Sequence, residues 1–339
     1  MVLLENDGAL PFAAKKVAVY GNGVRGTIKG GTGSGDVNTR SNVNIEQGFV
    51  NAGIEVASTA WLDRQEQRVK DAKAAYLQWA KEEAAKKGVP EFSVMFDTPY
   101  KDPACELITA EDVKGSETDT AVYVIARNSG EGADRFDEAG DYQLYPEELE
   151  NIKTIAAGYK NTIIVLNIGG VMNLSESKAV EGVNAILLMT QLGNLGGDAL
   201  LDVLTGKVNP SGKTTDTWAK NYMDYPSSAK FSHNESVHDE MYEDGIYMGY
   251  RYFDSFDVET EYCFGFGRSY TEFELKAGEI SVNGNEVQVP VEVKNIGSKY
   301  AGKEVVQVYY SAIGGEIDKP YQELAAYKKT KLLAPGESE

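Results

Sequence analysis

The chain has 339 residues, 42% hydrophobic and 10% aromatic, which is length enough for two packed units and too much apolar content for a disordered segment. Its 52 acidic residues against 33 basic give a formal charge of −19, a field that repels phosphate backbones and excludes a nucleic-acid partner. The two cysteines, Cys105 and Cys263, have no CxxC spacing and read as free thiols, and no apolar run approaches the ~18 residues of a membrane span.

In chain order, Met1-Val2-Leu3-Leu4-Glu5-Asn6-Asp7 lacks the basic-then-apolar order of a signal peptide, so a cytoplasmic chain is expected. Lys16-Val17-Ala18-Val19-Tyr20 is short, β-branched and followed by glycine, the pattern of a buried parallel strand. A helix over 44–52, stopped by Gly53, and a strand over 54–57 complete a β-α-β unit. Residues 61–87 place Val69, Ala72, Ala75, Tyr76, Trp79 and Ala80 at helical spacing, which predicts one long amphipathic helix. Strands are expected over 120–126, 162–167 and 184–189, with a helix from Pro146 to Tyr159 that takes proline in its first turn. Such alternation implies an α/β sheet covered on both faces, assigned to residues 1–218.

After Asn209-Pro210-Ser211-Gly212-Lys213 the periodicity is lost, and 219–268 reads as an extended linker. From 269 to 339 the style is two-residue alternation, as in Val287-Gln288-Val289-Pro290-Val291-Glu292-Val293 and residues 304–310, with a turn at Asn283-Gly284-Asn285. This is an all-β sandwich in the making. Four strand candidates are too few for the ~7 that such a domain uses, so uncovered faces and poor solubility, or rescue by a partner, are expected.

Several short patterns bear on chemistry. Gly21-Asn22-Gly23-Val24-Arg25-Gly26 matches GxGxxG after a strand, but no helix is expected at its third glycine and no acid closes the second strand, which argues against a dinucleotide site. Gly30-Gly31-Thr32-Gly33-Ser34-Gly35-Asp36 sits at a strand's carboxyl end. It is either a flexible connector or a backbone that approaches a ligand closely, with the Thr32 and Ser34 hydroxyls available to a sugar. It lacks the GKS ending of a phosphate loop. Ser129-Gly130-Glu131-Gly132-Ala133-Asp134-Arg135 sets a carboxylate between glycines after another strand, a form suited either to a general acid or to a merely solvated loop. His233 and His238 lack the i, i+4 spacing of a helical zinc motif, and neither a metal nor any other cofactor is expected.

Six segments in order resemble glycoside hydrolase family 3 of the β-glucosidase type. They are Val2-Leu3-Leu4-Glu5-Asn6-Asp7-Gly8, the glycine loop from Lys29 to Asp36, Ser129-Gly130-Glu131-Gly132, Asn209-Pro210-Ser211-Gly212-Lys213, Tyr242-Glu243-Asp244-Gly245-Ile246-Tyr247 with Gly249-Tyr250-Arg251-Tyr252, and Phe264-Gly265-Phe266-Gly267-Arg268-Ser269-Tyr270. The resemblance implies an α/β sandwich domain followed by an incomplete fibronectin type III-like domain. It implies Glu131 as acid/base, Ser34 with Thr32 near the bound sugar, and a β-glucoside or related oligosaccharide as substrate. It also implies a partner, the (β/α)-barrel that carries the aspartate nucleophile. That barrel has no counterpart in these residues, so the chain alone is expected to be inactive, with a truncated enzyme of reversed domain order as the preferred origin. Leu195, in Gly193-Asn194-Leu195-Gly196-Gly197, departs from the glutamate that similar enzymes place there. The competing reading is a non-catalytic carbohydrate-binding or interaction module.

Overall fold

The computed structural model describes residues 1–35, 37–130, 135–231, 236 and 238–339. It opens with β1 (Val2–Asn6), where the sequence suggested only a motif; Val2, Leu3 and Leu4 are all buried. Next come β2 (Lys16–Tyr20), α1 (Ile45–Asn51) and β3 (Glu55–Val56), the expected β-α-β unit with β2 and β3 parallel. The Asn44 side chain caps α1 by accepting the Gln47 N–H at 2.8 Å, and Gly53, at φ +69°, turns the chain out of it.

The helix α2 (Thr59–Lys87) runs as expected and stops at Gly88 in the left-handed region, but only part of its apolar stripe is covered. Trp61, Leu62 and Gln65 bury its first turns, while Ala75, Leu77 and Trp79 are exposed. Its far end is supported instead by α3 (Glu91–Asp97), through a small cluster of Ala80, Ala84 and Val94. Spacing alone marks a face as apolar without saying which neighbour covers it, and here no layer of the sheet reaches that far.

There follow α4 (Ala110–Ser116), β4 (Thr120–Arg127), α5 (Pro146–Gly158), β5 (Asn161–Ile168), α6 (Ser175–Lys178), β6 (Val183–Leu188) and α7 (Gly196–Leu204). All of β4 is buried, which is why its run of Ala121, Val122, Tyr123, Val124 and Ile125 shows no polar alternation. The sheet has six strands in the order β1-β6-β5-β4-β2-β3, parallel except for β1, which pairs antiparallel with β6. On its other side β1 is not bare, because Leu3 accepts the Arg268 N–H at 2.8 Å. The layered α/β architecture is thus confirmed, with one antiparallel edge that the strand pattern did not reveal.

The segment read as an extended linker has more structure than that. It contains β7 (Trp218–Ala219), α8 (Tyr250–Ser255) and β8 (Thr260–Tyr262), and β7 and β8 pair with each other. Phe253 is buried, with its ring edge-on to Tyr225. Aromatic burial organises this stretch without any regular period, so periodicity could not find it.

The last part is all β, in three two-stranded ladders: β9 (Phe273–Ala277) with β12, β10 (Ser281–Asn283) with β11 (Glu286–Gln288), and β13 (Val305–Tyr310) with β14 (Glu323–Lys329), where β12 is Val291–Asn295. The run 287–293 is therefore two strands, not one. Pro290 has no N–H to donate to a ladder, and the chain breaks there. Apolar side chains on these ladders are left in solvent, including Leu275, Val282 and Val287. The unit is nonetheless tied to the α/β layer. Asn209 donates to the Ala301 carbonyl at 3.0 Å and accepts from Ser269 and Tyr270 at 2.9 Å, and Lys213 pairs with Glu304 at 2.7 Å.

Candidate active site at the strand-end rim

The carboxyl ends of β2, β4, β5 and β6 lie side by side, and the loops leaving them form one rim. The glycines after β2 are there for packing. A Cβ on Gly21, already at φ +103°, would fall 2.1 Å from the Val124 carbonyl oxygen, and one on Gly23 2.5 Å from the Val124 side chain. Asn22 between them extends the ladder with its side chain, accepting the Ala126 N–H at 2.8 Å and donating to the Ala126 carbonyl at 3.1 Å. No helix starts at Gly26; α1 begins only at Ile45. The first two glycines of the GxGxxG match are explained by contact with β4, and Gly26 by its approach to the Asn22 carbonyl.

From there the chain crosses the rim. Fully buried Asn167, near the end of β5, holds it like a strand partner: it accepts the Ile28 N–H at 2.6 Å and donates to the Ile28 and Thr190 carbonyls at 3.0 and 2.7 Å. Lys29 then accepts the Gly193 N–H at 2.9 Å, beyond β6. The glycine loop finally reaches the loop after β4, where Thr32 donates its N–H to Ser129 at 3.2 Å and forms a parallel bridge with Gly130.

This crossing admits no side chain. A Cβ on Gly130 would lie 2.3 Å from the Thr32 carbonyl oxygen, and one on Gly31 2.5 Å from that of Ser129. Both glycines are therefore required by backbone on backbone, and the flexible-connector reading of the loop does not hold at Gly31. Thr32 and Ser34 are exposed on the rim. Glu131, with Gly132, Ala133 and Asp134, lies outside the described residues, as do Asp36 and His233; the structure brings the described segment that leads into Glu131 against Thr32 and stops there.

Two arginines support the rim. Arg127 and Glu148 form a buried pair through both guanidinium Nη groups, one at 2.9 Å, and Arg127 also lies over the Tyr145 ring at 5.7 Å. Burial alone would pull the Arg127 pKa down, but the Glu148 carboxylate outweighs it and holds it above its ordinary value. Arg135 sits on Asp141, whose other oxygen accepts the Phe136 N–H at 2.7 Å. Sequence reasoning gave no role to Asn22, Asn167, Arg127 or Arg135. Each stands at or just past a strand's carboxyl end, which is the one signal that could have singled them out.

Among the described residues no group of three or more His, Cys, Asp or Glu could hold a metal, and no helix is long and apolar enough to cross a membrane. Cys105 is buried and Cys263 exposed, and burial pushes the Cys105 thiol up to about 12, so it stays protonated and inert as a nucleophile. Hollows of about 510, 400 and 670 Å³ open beside α1, between the β ladders and next to α7, and none of these three is lined by Thr32, Ser34 or Gly130.

Comparison with known proteins adds to this geometry. Residues 1–250 match the family model described as the glycosyl hydrolase family 3 C-terminal domain, and residues 304–339 that of the fibronectin type III-like domain. All of the chain aligns with 43% of Beta-glucosidase A of Butyrivibrio fibrisolvens at 34% identity. Among solved structures, β-glucosidase 3B of Thermotoga neapolitana in complex with glycerol matches the whole chain over 46% of its own length, at 37% identity and a TM-score of 0.81. A β-glucosidase of Paenibacillus barengoltzii matches at 35% identity and a TM-score of 0.79, over 36% of its length. The chain thus spans less than half the length of each of these relatives.

Proposed function

The chain belongs to glycoside hydrolase family 3, and from that premise we propose that it carries the acid/base half of a retaining β-glucosidase, with Glu131 as the proton donor. The observation that bears most weight is the bridge between Thr32 and Gly130, which puts the hydroxyl-bearing glycine loop beside the segment leading into Glu131. That the T. neapolitana enzyme was also solved with α-D-glucose supports a sugar as the ligand of such a rim.

In the proposed reaction Glu131 gives its proton to the glycosidic oxygen as the bond from that oxygen to the anomeric carbon breaks. An aspartate of a (β/α)-barrel domain outside these 339 residues attacks the same carbon from the opposite face, in cis or in trans, with the two carboxyl groups about 5 Å apart. Water then displaces the aspartate, and Glu131 takes the proton which that water loses. Thr32 and Ser34 offer hydroxyls to the sugar, and the substrate is a β-glucoside or a related oligosaccharide.

This division of labour is tested by turnover of p-nitrophenyl β-glucoside. The 339-residue chain alone is expected to release no nitrophenol, and mixing or fusing it with a nucleophile-bearing barrel of the family to restore release. Turnover by the chain alone that Glu131→Gln abolishes would place both carboxylates within these residues and overturn the proposal.

A further inference from the structure

The outer half of α2 is held by little. Arg25, just past β2, fixes the beginning of the helix through Asp63 at 2.7 Å and Glu66 at 2.9 Å, and from there α2 runs on for about 30 Å. Beyond Tyr76, whose hydroxyl donates to the Thr98 carbonyl at 2.8 Å, it is buried only at Ala80 and Ala84, against Val94 of α3. The two helices make an arm joined by one small cluster. The other side of α3 is bare: Phe92 and Phe96, one turn apart with ring centroids 6.1 Å from each other, are 75% and 74% exposed. Val89, just ahead of α3, is exposed as well. Large apolar groups scattered singly over a surface need no explanation, but two phenylalanines bared side by side mark a face that something covers.

Charge narrows what that is. The chain carries −19, so two copies repel each other over most of their surfaces. The arm is different, because residues 69–97 hold five lysines against five aspartates and glutamates. Glu66 takes Lys70 and Glu83 takes Lys86 and Lys87, while Lys73, Lys81, Glu91 and Asp97 have no ion-pair partner among the described residues. A neutral face with charges of both signs left over suits a two-fold axis, where one patch serves both copies and each sign meets its opposite. With the stems of the flanking lysines, two such faces would take about 1,000 Å² out of water, the lower limit of a specific interface, so the pairing is weak and depends on concentration.

We propose that this face of the arm is a contact between two copies of the chain, with Phe92 and Phe96 of one packed on the same residues of the other and the unpaired lysines and acids meeting around them. The proposal is independent of Glu131 and of any catalytic reading.

Sedimentation equilibrium of the 339-residue chain from about 1 to about 100 µM tests it. The mass is expected to climb from that of one chain to that of two. Phe92→Glu with Phe96→Glu is expected to stay at one chain throughout, and to fold with an unchanged thermal midpoint because both positions lie in solvent. Charge gives a second readout: Glu91→Lys with Asp97→Lys makes the arm cationic, and Lys73→Glu with Lys81→Glu makes it anionic. Each variant is expected to self-associate about tenfold more weakly, and the two mixed to pair about as well as the unsubstituted chain. A chain that stays single across the range, or one that pairs equally well with both phenylalanines replaced, overturns the proposal. So does self-association of both charge variants at the unsubstituted level. A chain that is single alone, and whose phenylalanine variant loses only the binding of an added barrel domain, also overturns it and gives the face to that domain.

Discussion

At the scale of the residue, the rim depends on close approaches and buried polar pairs that leave little tolerance. The Arg127–Glu148 pair shows this best, since Glu148 also accepts the Tyr145 N–H at 2.9 Å and so caps the helix that covers the sheet. Removing one member of a buried pair leaves an uncompensated charge, a loss of about 3 kcal/mol or more. Glu148→Gln is therefore expected to lower the thermal midpoint strongly, and Arg127→Met with Glu148→Met to lower it less than Glu148→Gln alone. Equal losses would mean that the pair contributes through shape rather than charge. The glycines of the rim were legible in the sequence as a cluster, but their reason was not. Gly130 excludes a side chain because Thr32 arrives from a loop about a hundred residues earlier, and no local pattern carries that information.

Among the elements, the parallel strands were readable because full burial writes itself as an unbroken apolar run, as in β4. α5 was readable because Pro146 marks its start. The antiparallel β1 was not, since a five-residue strand at the edge of a sheet looks the same whichever way its partner runs. The α2 helix existed where its spacing put it, but the spacing misjudged what its middle touches. This yields a prediction by chemical denaturation: Leu77→Gln should change stability by no more than about 0.5 kcal/mol, whereas Ala80→Asp, placed in the contact with α3, should cost about 2 kcal/mol or more. A large loss from Leu77→Gln would show that this exposed part of the helix is covered after all.

Across the whole molecule, the loops at the carboxyl ends of β2, β4, β5 and β6 are tied into one rim. The glycine loop is pinned at Asn167, Gly193 and Ser129, so the rim is preorganised rather than shaped by a ligand. The β ladders dock on the α/β layer through Asn209 and Lys213 and keep apolar side chains in solvent, where the sequence had anticipated uncovered faces. The family was legible because six separate segments fall in order. The task proposed for Glu131 was not, because no local pattern separates a catalytic carboxylate on a glycine loop from a solvated one. The central claim is that the proton donor is Glu131. The most direct test is product analysis of Glu131→Ala in the barrel-complemented enzyme, with p-nitrophenyl β-glucoside and added azide. The account predicts a fall in turnover of roughly 10² to 10⁴ without azide, and β-glucosyl azide as the product when azide is supplied. Unchanged hydrolysis to glucose, with no azide adduct, would contradict it.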